Sequence, residues 1–206
     1  SVNDDDIALY ADESRQQVAM TWRGLRQQTE KHMIDGVMRP SRCLADFVAP
    51  AGAAPDHVGV FAVTAGIGAD KRAQAFEVAH DDYSAILLKS LADRLAEAFA
   101  EVLHQRVRTD LWGYASQESL ECNDLIAERY QGIRPAPGYP ACPDHSVKKD
   151  MFALLQCEDI GMGVTESLAM TPAASVSGFY IAHPDCSYFS VGKIGDDQLQ
   201  DLARRR

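Results

Sequence analysis

Residues 134–143 read Arg-Pro-Ala-Pro-Gly-Tyr-Pro-Ala-Cys-Pro, so four of the nine prolines in the 206-residue chain fall in this one run. Each proline fixes φ at about −65° and restricts the residue before it, which makes the loop stiff before any ligand arrives. The backbone N–H groups that remain, among them those of Ala136, Gly138 and Tyr139, are then held at defined positions. Gly138 permits positive φ or a close backbone approach. One arginine and one tyrosine on such a loop suit a small ligand with a carboxylate and an aromatic or cationic part. Arg134 can take a carboxylate on two N–H groups, and Tyr139 can stack on a purine or face a sulfonium. The residues alone leave a structural reading equally open: a proline-rich connection wrapped round a core, with Arg134 in an ordinary salt bridge.

Other chemistry-bearing residues are weaker indications. Asp93, Glu97 and Glu101 recur every four residues and, with His104, share one helix face; such a run is usually solvated. Cys142 and His145 lie close together but lack the two further ligands of a zinc site, so no metal is expected. His104 and His183 read as surface or satisfied histidines rather than catalysts. There is no Ser-His-Asp or Cys-His arrangement and no GxGxxG loop; residues 64–68, Thr-Ala-Gly-Ile-Gly, are at most a faint echo of one.

The elements that must position these residues follow from periodicity. Residues 4–35 give a loose helical pattern through Val18, Met20, Trp22 and Leu25. Residues 43–48 and 57–64 read as strands bounded by proline and glycine. The clearest element is an amphipathic helix over about 83–107. Asp81 and Asp82 cap it, and Ile86, Leu87, Leu91, Leu95, Ala98, Phe99, Val102 and Leu103 form its apolar stripe. Helices are expected at 116–130 and 146–160, and strands at 174–182 and 187–194, the last two joined by a turn at His183-Pro184-Asp185. Because strands and helices do not alternate regularly, the fold class is α+β, built around an antiparallel sheet.

Composition narrows the partners. A net charge of −10 and a pI near 5.0 disfavour nucleic acid and anionic membrane surfaces. No stretch approaches the ~20 apolar residues that span a bilayer, and the acidic N-terminus is not a signal peptide. Five scattered cysteines point to a reducing, cytoplasmic setting. The chain does not begin with Met and reads as a piece of something longer.

The run at 132–143 strongly resembles the S-adenosylmethionine-binding loop of cobalamin-dependent methionine synthases. Residues 44–50 (Leu-Ala-Asp-Phe-Val-Ala-Pro), 90–101, 165–167 and 175–178 resemble the reactivation domain of that family too, in the same order and over essentially the whole chain, 1–206. The resemblance implies a domain that presents S-adenosylmethionine to cobalamin carried by a partner domain, for reductive methylation of cob(II)alamin. The electron would come from a flavodoxin or a flavoprotein reductase. It also implies residue roles. Arg134 would hold the ligand's carboxylate, Ala136 and its neighbours, Gly138 among them, would meet the adenine through backbone groups, and Tyr139 would pack against the ligand. Tyr188 and Phe189 would close the site, with Glu97 and Glu128 near the ribose. Asp93 and His145 would face the partner domain and the corrin. The family's domain begins earlier, with an acidic residue for the ligand's amino group, and ends later, so truncation at both ends is expected. Two alternatives stay open: a stand-alone protein reactivating a corrinoid enzyme in trans, and a docking module that has lost its ligand.

Overall fold

The computed structural model describes residues 2–3, 5–28 and 40–206. Its strands form three small antiparallel sheets, with helices packed around them. The first sheet joins β1 (Val2–Asn3), β2 (Asp6–Tyr10) and β3 (Val18–Arg23). The second pairs β4 (Gly59–Thr64) with β7 (Ser175–Tyr180), and the third pairs β5 (Gly163–Val164) with β6 (Met170–Thr171). The helices are α1 (Ala69–Val78), α2 (Asp82–Arg106), α3 (Cys122–Ile126), α4 (Lys148–Leu154) and α5 (Asp196–Arg205). The α+β class is as expected, with the strands divided among three sheets.

Several expected elements change type, each for a local reason. The helix expected over 4–35 is the β2–β3 hairpin where the chain is described: Met20 and Trp22 are buried on alternate positions of β3, a period of two. Residues 29–35 of that expectation lie outside the described residues. The strand expected at 43–48 is one 3-10 turn, Leu44–Phe47, because Asp46 folds back to accept the backbone N–H of Cys43 at 2.9 Å. The helix expected at 116–130 shrinks to α3. Glu118 is drawn inward by Arg108 at 2.7 and 2.8 Å, and Glu128 adopts φ +53°, so the chain bends at both ends. The helix at 146–160 breaks after α4, where Gln156 adopts φ +52°; one 3-10 turn, Cys157–Ile160, follows.

The strand expected at 187–194 does not form. Its neighbour is the proline loop, which lacks the N–H donors a ladder needs, and among the described residues one backbone–backbone bond joins them, from the Val191 N–H to the Pro140 carbonyl at 2.9 Å. The turn at 183–185 is present, closed by Cys186 N–H to His183 O at 3.1 Å. Helices α1 and α5 were not anticipated. The side chain of Gln198 donates to the Arg26 carbonyl, and Arg205 reaches the Gly24 carbonyl, also pairing with Asp6, so α5 is tied to the β1–β3 sheet.

Helix α2 lies where its periodicity placed it, and the Asp81 carboxylate caps it by accepting from Ser84 N–H at 3.0 Å. Its orientation is the surprise. The buried face is Ala85, Ala92, Ala96, Ala100 and His104, whereas Leu91, Leu95, Phe99 and Val102 are half or more exposed. Alanines at four-residue spacing let α2 approach the β4–β7 sheet closely, and Ala100 joins Phe61, Val63, Val107 and Tyr180 in a small core there. The larger core gathers Trp22, Leu44, Phe47, Met151, Phe152, Phe179 and Ile181 on the other side of that sheet.

Candidate functional site

Between the β4–β7 sheet, the middle of α2 and the proline loop lies a cleft of about 550 Å³. That volume is in the range of small-molecule sites. The loop is held against the sheet by backbone bonds. Ile133 and Ile181 exchange both, at 2.9 and 3.0 Å, and Phe179 N–H donates to the Pro135 carbonyl at 2.9 Å. Gly178 permits this approach, since a Cβ there would lie 2.6 Å from the Pro135 carbonyl oxygen and 2.9 Å from the Phe61 ring. Two further bonds fold the loop tip, Gly138 N–H to Cys142 O at 2.7 Å and Tyr139 N–H to Ala136 O at 3.2 Å. Of the three loop N–H groups expected to face a ligand, two are therefore engaged within the loop. The N–H of Ala136 has no partner among the described residues.

Seven of the residues singled out in the sequence line this one cleft: Glu97, Glu128, Arg134, Ala136, Tyr139, Tyr188 and Phe189. The Tyr188 hydroxyl accepts the backbone N–H of Arg134 at 3.0 Å, which fixes the last segment over the loop. Burial pushes the Tyr188 hydroxyl well above the usual phenol range, so it stays protonated at neutral pH. The three others lie elsewhere. Gly138 shapes the tip rather than the wall, at φ +97°, and a Cβ there would strike the His145 ring at 2.2 Å. His145 itself is exposed behind the tip. Asp93 lines an adjoining recess of about 440 Å³ with Ser90, Arg94 and Ser175, and Glu97 borders both.

Residues that sequence reasoning missed stand behind and beneath Arg134. Glu101, read as part of a solvated acidic face, meets Arg134 Nη2 through Oε2 at 2.6 Å. Nη1 of Arg134 donates to the Tyr130 hydroxyl at 2.9 Å and lies 3.3 Å from Nδ1 of His104. His104 is fully buried, stacked on Tyr180 at 5.2 Å, and Tyr180 stacks in turn on Phe61 at 4.5 Å. Burial, then the charges of Arg108 and Arg134, push the His104 pKa down to about 3, so the ring is neutral. Phe61 and Val176 form part of the cleft wall. No spacing rule links Glu101 to Arg134, which is why the pair was invisible in one dimension.

The model of a family described as the vitamin B12 dependent methionine synthase activation domain matches residues 1–206. The chain belongs to this family. A crystal structure of the MetH reactivation domain bound to AdoHcy is 55% identical, with a TM-score of 0.89 over 98% of this chain. The chain spans 61% of that neighbour's length. Arg134 and Tyr139 of this activation domain's proline loop stand on the cleft wall. No helix among its described residues is long and apolar enough to cross a membrane.

Proposed function

We propose that the cleft binds S-adenosylmethionine, and its demethylated product S-adenosylhomocysteine, so that the domain can remethylate cobalamin carried by a partner domain of methionine synthase. The observation that carries this reading is the convergence of Arg134, Ala136, Tyr139, Tyr188, Glu97 and Glu128 on one cleft of about 550 Å³, in a chain 55% identical to a reactivation domain seen with AdoHcy. The residues suit the ligand. Arg134 offers a cation for its carboxylate, and the free Ala136 N–H a donor for the adenine edge. The Tyr139 and Tyr188 rings offer faces for the purine or sulfonium, and Glu97 and Glu128 offer acceptors for ribose hydroxyls.

When bound, S-adenosylmethionine supplies an electrophilic methyl group, and the cobalamin of the partner domain supplies the cobalt that accepts it. The work of this chain is positioning, which by itself can account for much of a barrier. Arg134 and the stiff loop fix the two ends of the ligand, and Phe189 and Tyr188 shield its flank from water. Asp93, in the recess beside the cleft, and His145, exposed behind the loop tip, face outward for docking to the partner domain and the corrin edge. A flavodoxin or flavoprotein reductase provides the electron that reductive methylation needs. The setting is cytoplasmic.

Calorimetric titration of S-adenosylmethionine tests the reading. One saturable site is expected, weakened roughly 10- to 100-fold by Arg134→Gln through loss of charge-assisted hydrogen bonds. Absence of saturable binding by the unaltered protein would count against it.

A further inference from the structure

We propose that Glu101, Tyr130 and His104 form a seat that holds the Arg134 guanidinium with unused donors toward the cleft, and that this seat makes the site select ligands bearing a carboxylate. The inference rests on the ligand reading above and adds positioning residues that act through Arg134. A guanidinium has five N–H donors in one plane and no acceptor. His104 must therefore accept from Arg134 at Nδ1, and its neutral ring carries the proton on Nε2, 3.5 Å from the Tyr114 hydroxyl. The two hydrogens of Nη1 are then taken by Tyr130 and His104, and one hydrogen of Nη2 by Glu101. The Nε hydrogen and the second Nη2 hydrogen have no acceptor among the described residues. Two donors are what a carboxylate takes from an arginine in a bidentate pair.

The seat is itself anchored. The Arg108 guanidinium lies 4.3 Å from the centroid of the Tyr130 ring, and Arg108 is fully buried in an ion pair with Glu118. Glu101 Oε1 is buried without a hydrogen-bond partner among the described residues, so this carboxylate relies on Arg134 for its compensation. Arg134 has thus lost its side-chain freedom before a ligand arrives, which lowers the entropy lost on binding. An arginine without the seat would still attract anions, but with no fixed direction.

The test compares two probes that share the adenosyl thioether: S-adenosylhomocysteine, which has the carboxylate, and 5′-methylthioadenosine, which lacks the amino-acid end. Each is titrated into the protein and its Glu101→Ala, Tyr130→Phe and Glu101→Gln variants. Glu101→Ala and Tyr130→Phe are expected to weaken S-adenosylhomocysteine about tenfold or more and 5′-methylthioadenosine less than about twofold. Glu101→Gln keeps an acceptor for Nη2 and should recover affinity to within about threefold of the unaltered protein. Equal losses for both probes would mean a merely structural role. Tighter S-adenosylhomocysteine binding would mean that Glu101 competes with the ligand, and no change that the seat is idle; each overturns the proposal. Failure of both probes to bind the unaltered protein would refute the ligand reading itself. Nitrogen NMR of His104 then judges the seat separately: a neutral ring protonated on Nε2 at about pH 6 supports it, and a ring protonated on Nδ1 or charged contradicts it.

Discussion

His104 shows how one side chain can set the conditions under which the site exists. It is fully exposed to titration in the unfolded chain, with a pKa of about 6.5, but in the fold it is buried among Tyr114, Tyr130, Tyr180, Arg108 and Arg134, and its pKa falls to about 3. The unfolded state therefore binds the proton first as pH falls. The stability that the neutral ring contributes is complete above about pH 6.5 and is lost progressively between there and pH 3. By pH 5 the loss should reach about 2 kcal/mol, at ~1.4 kcal/mol per unit. Urea denaturation at pH 7.5 and pH 5 checks this. The unaltered protein is expected to lose more stability between the two than His104→Asn, which keeps an acceptor near Nδ1 but does not titrate. Equal losses would place the acid sensitivity elsewhere.

Among the elements, α2 was read from its sequence almost to the residue, since a capping Asp81 and 25 residues without proline or glycine leave few alternatives. Its direction was not legible. Periodicity reports that two faces differ but not which one packs, and here the alanines pack while Leu91, Leu95 and Phe99 face solvent. Strand β4 was legible as a run rich in Val and Phe between Pro55 and Gly66, and β7 as the segment before the turn at His183-Pro184-Asp185. The β2–β3 hairpin was missed because the helix-forming Gln and Arg around it outweighed the alternation of Met20 and Trp22. The 187–194 segment was misread because pairing depends on a neighbour whose prolines only the fold brings alongside. The same division holds for the site: residue types on the proline loop were readable, whereas the Glu101–Arg134 contact spans 33 positions and is set by tertiary packing. The orientation of α2 predicts opposite responses at adjacent residues. Leu95→Ser should change stability by less than about 0.5 kcal/mol, while Ala96→Leu, wedged against the β4–β7 sheet, should cost about 1–3 kcal/mol. Thermal denaturation of the two variants distinguishes this orientation from one with the leucine face inside.

For the whole molecule, the acidic balance has a defined place to act. Glu101 is engaged by Arg134 and Glu97 borders the cleft, so under the proposed function Asp93, in the adjoining recess, is the member of the acidic face left for docking. Asp93→Lys is expected to slow reactivation of methionine synthase about three- to tenfold while leaving S-adenosylmethionine affinity unchanged, the pattern of an electrostatic docking contact. Unaltered reactivation would remove Asp93 from the docking surface. The fold and the family belong to the whole chain, but the central claim concerns one cleft, and a crystal structure of the protein soaked or grown with S-adenosylhomocysteine addresses it most directly. The ligand's carboxylate is expected on the unused donors of Arg134, its adenine at the Ala136 N–H, and Glu101 still paired with Arg134. A ligand seated in the recess beside Asp93, or one whose carboxylate lies away from Arg134, would contradict it.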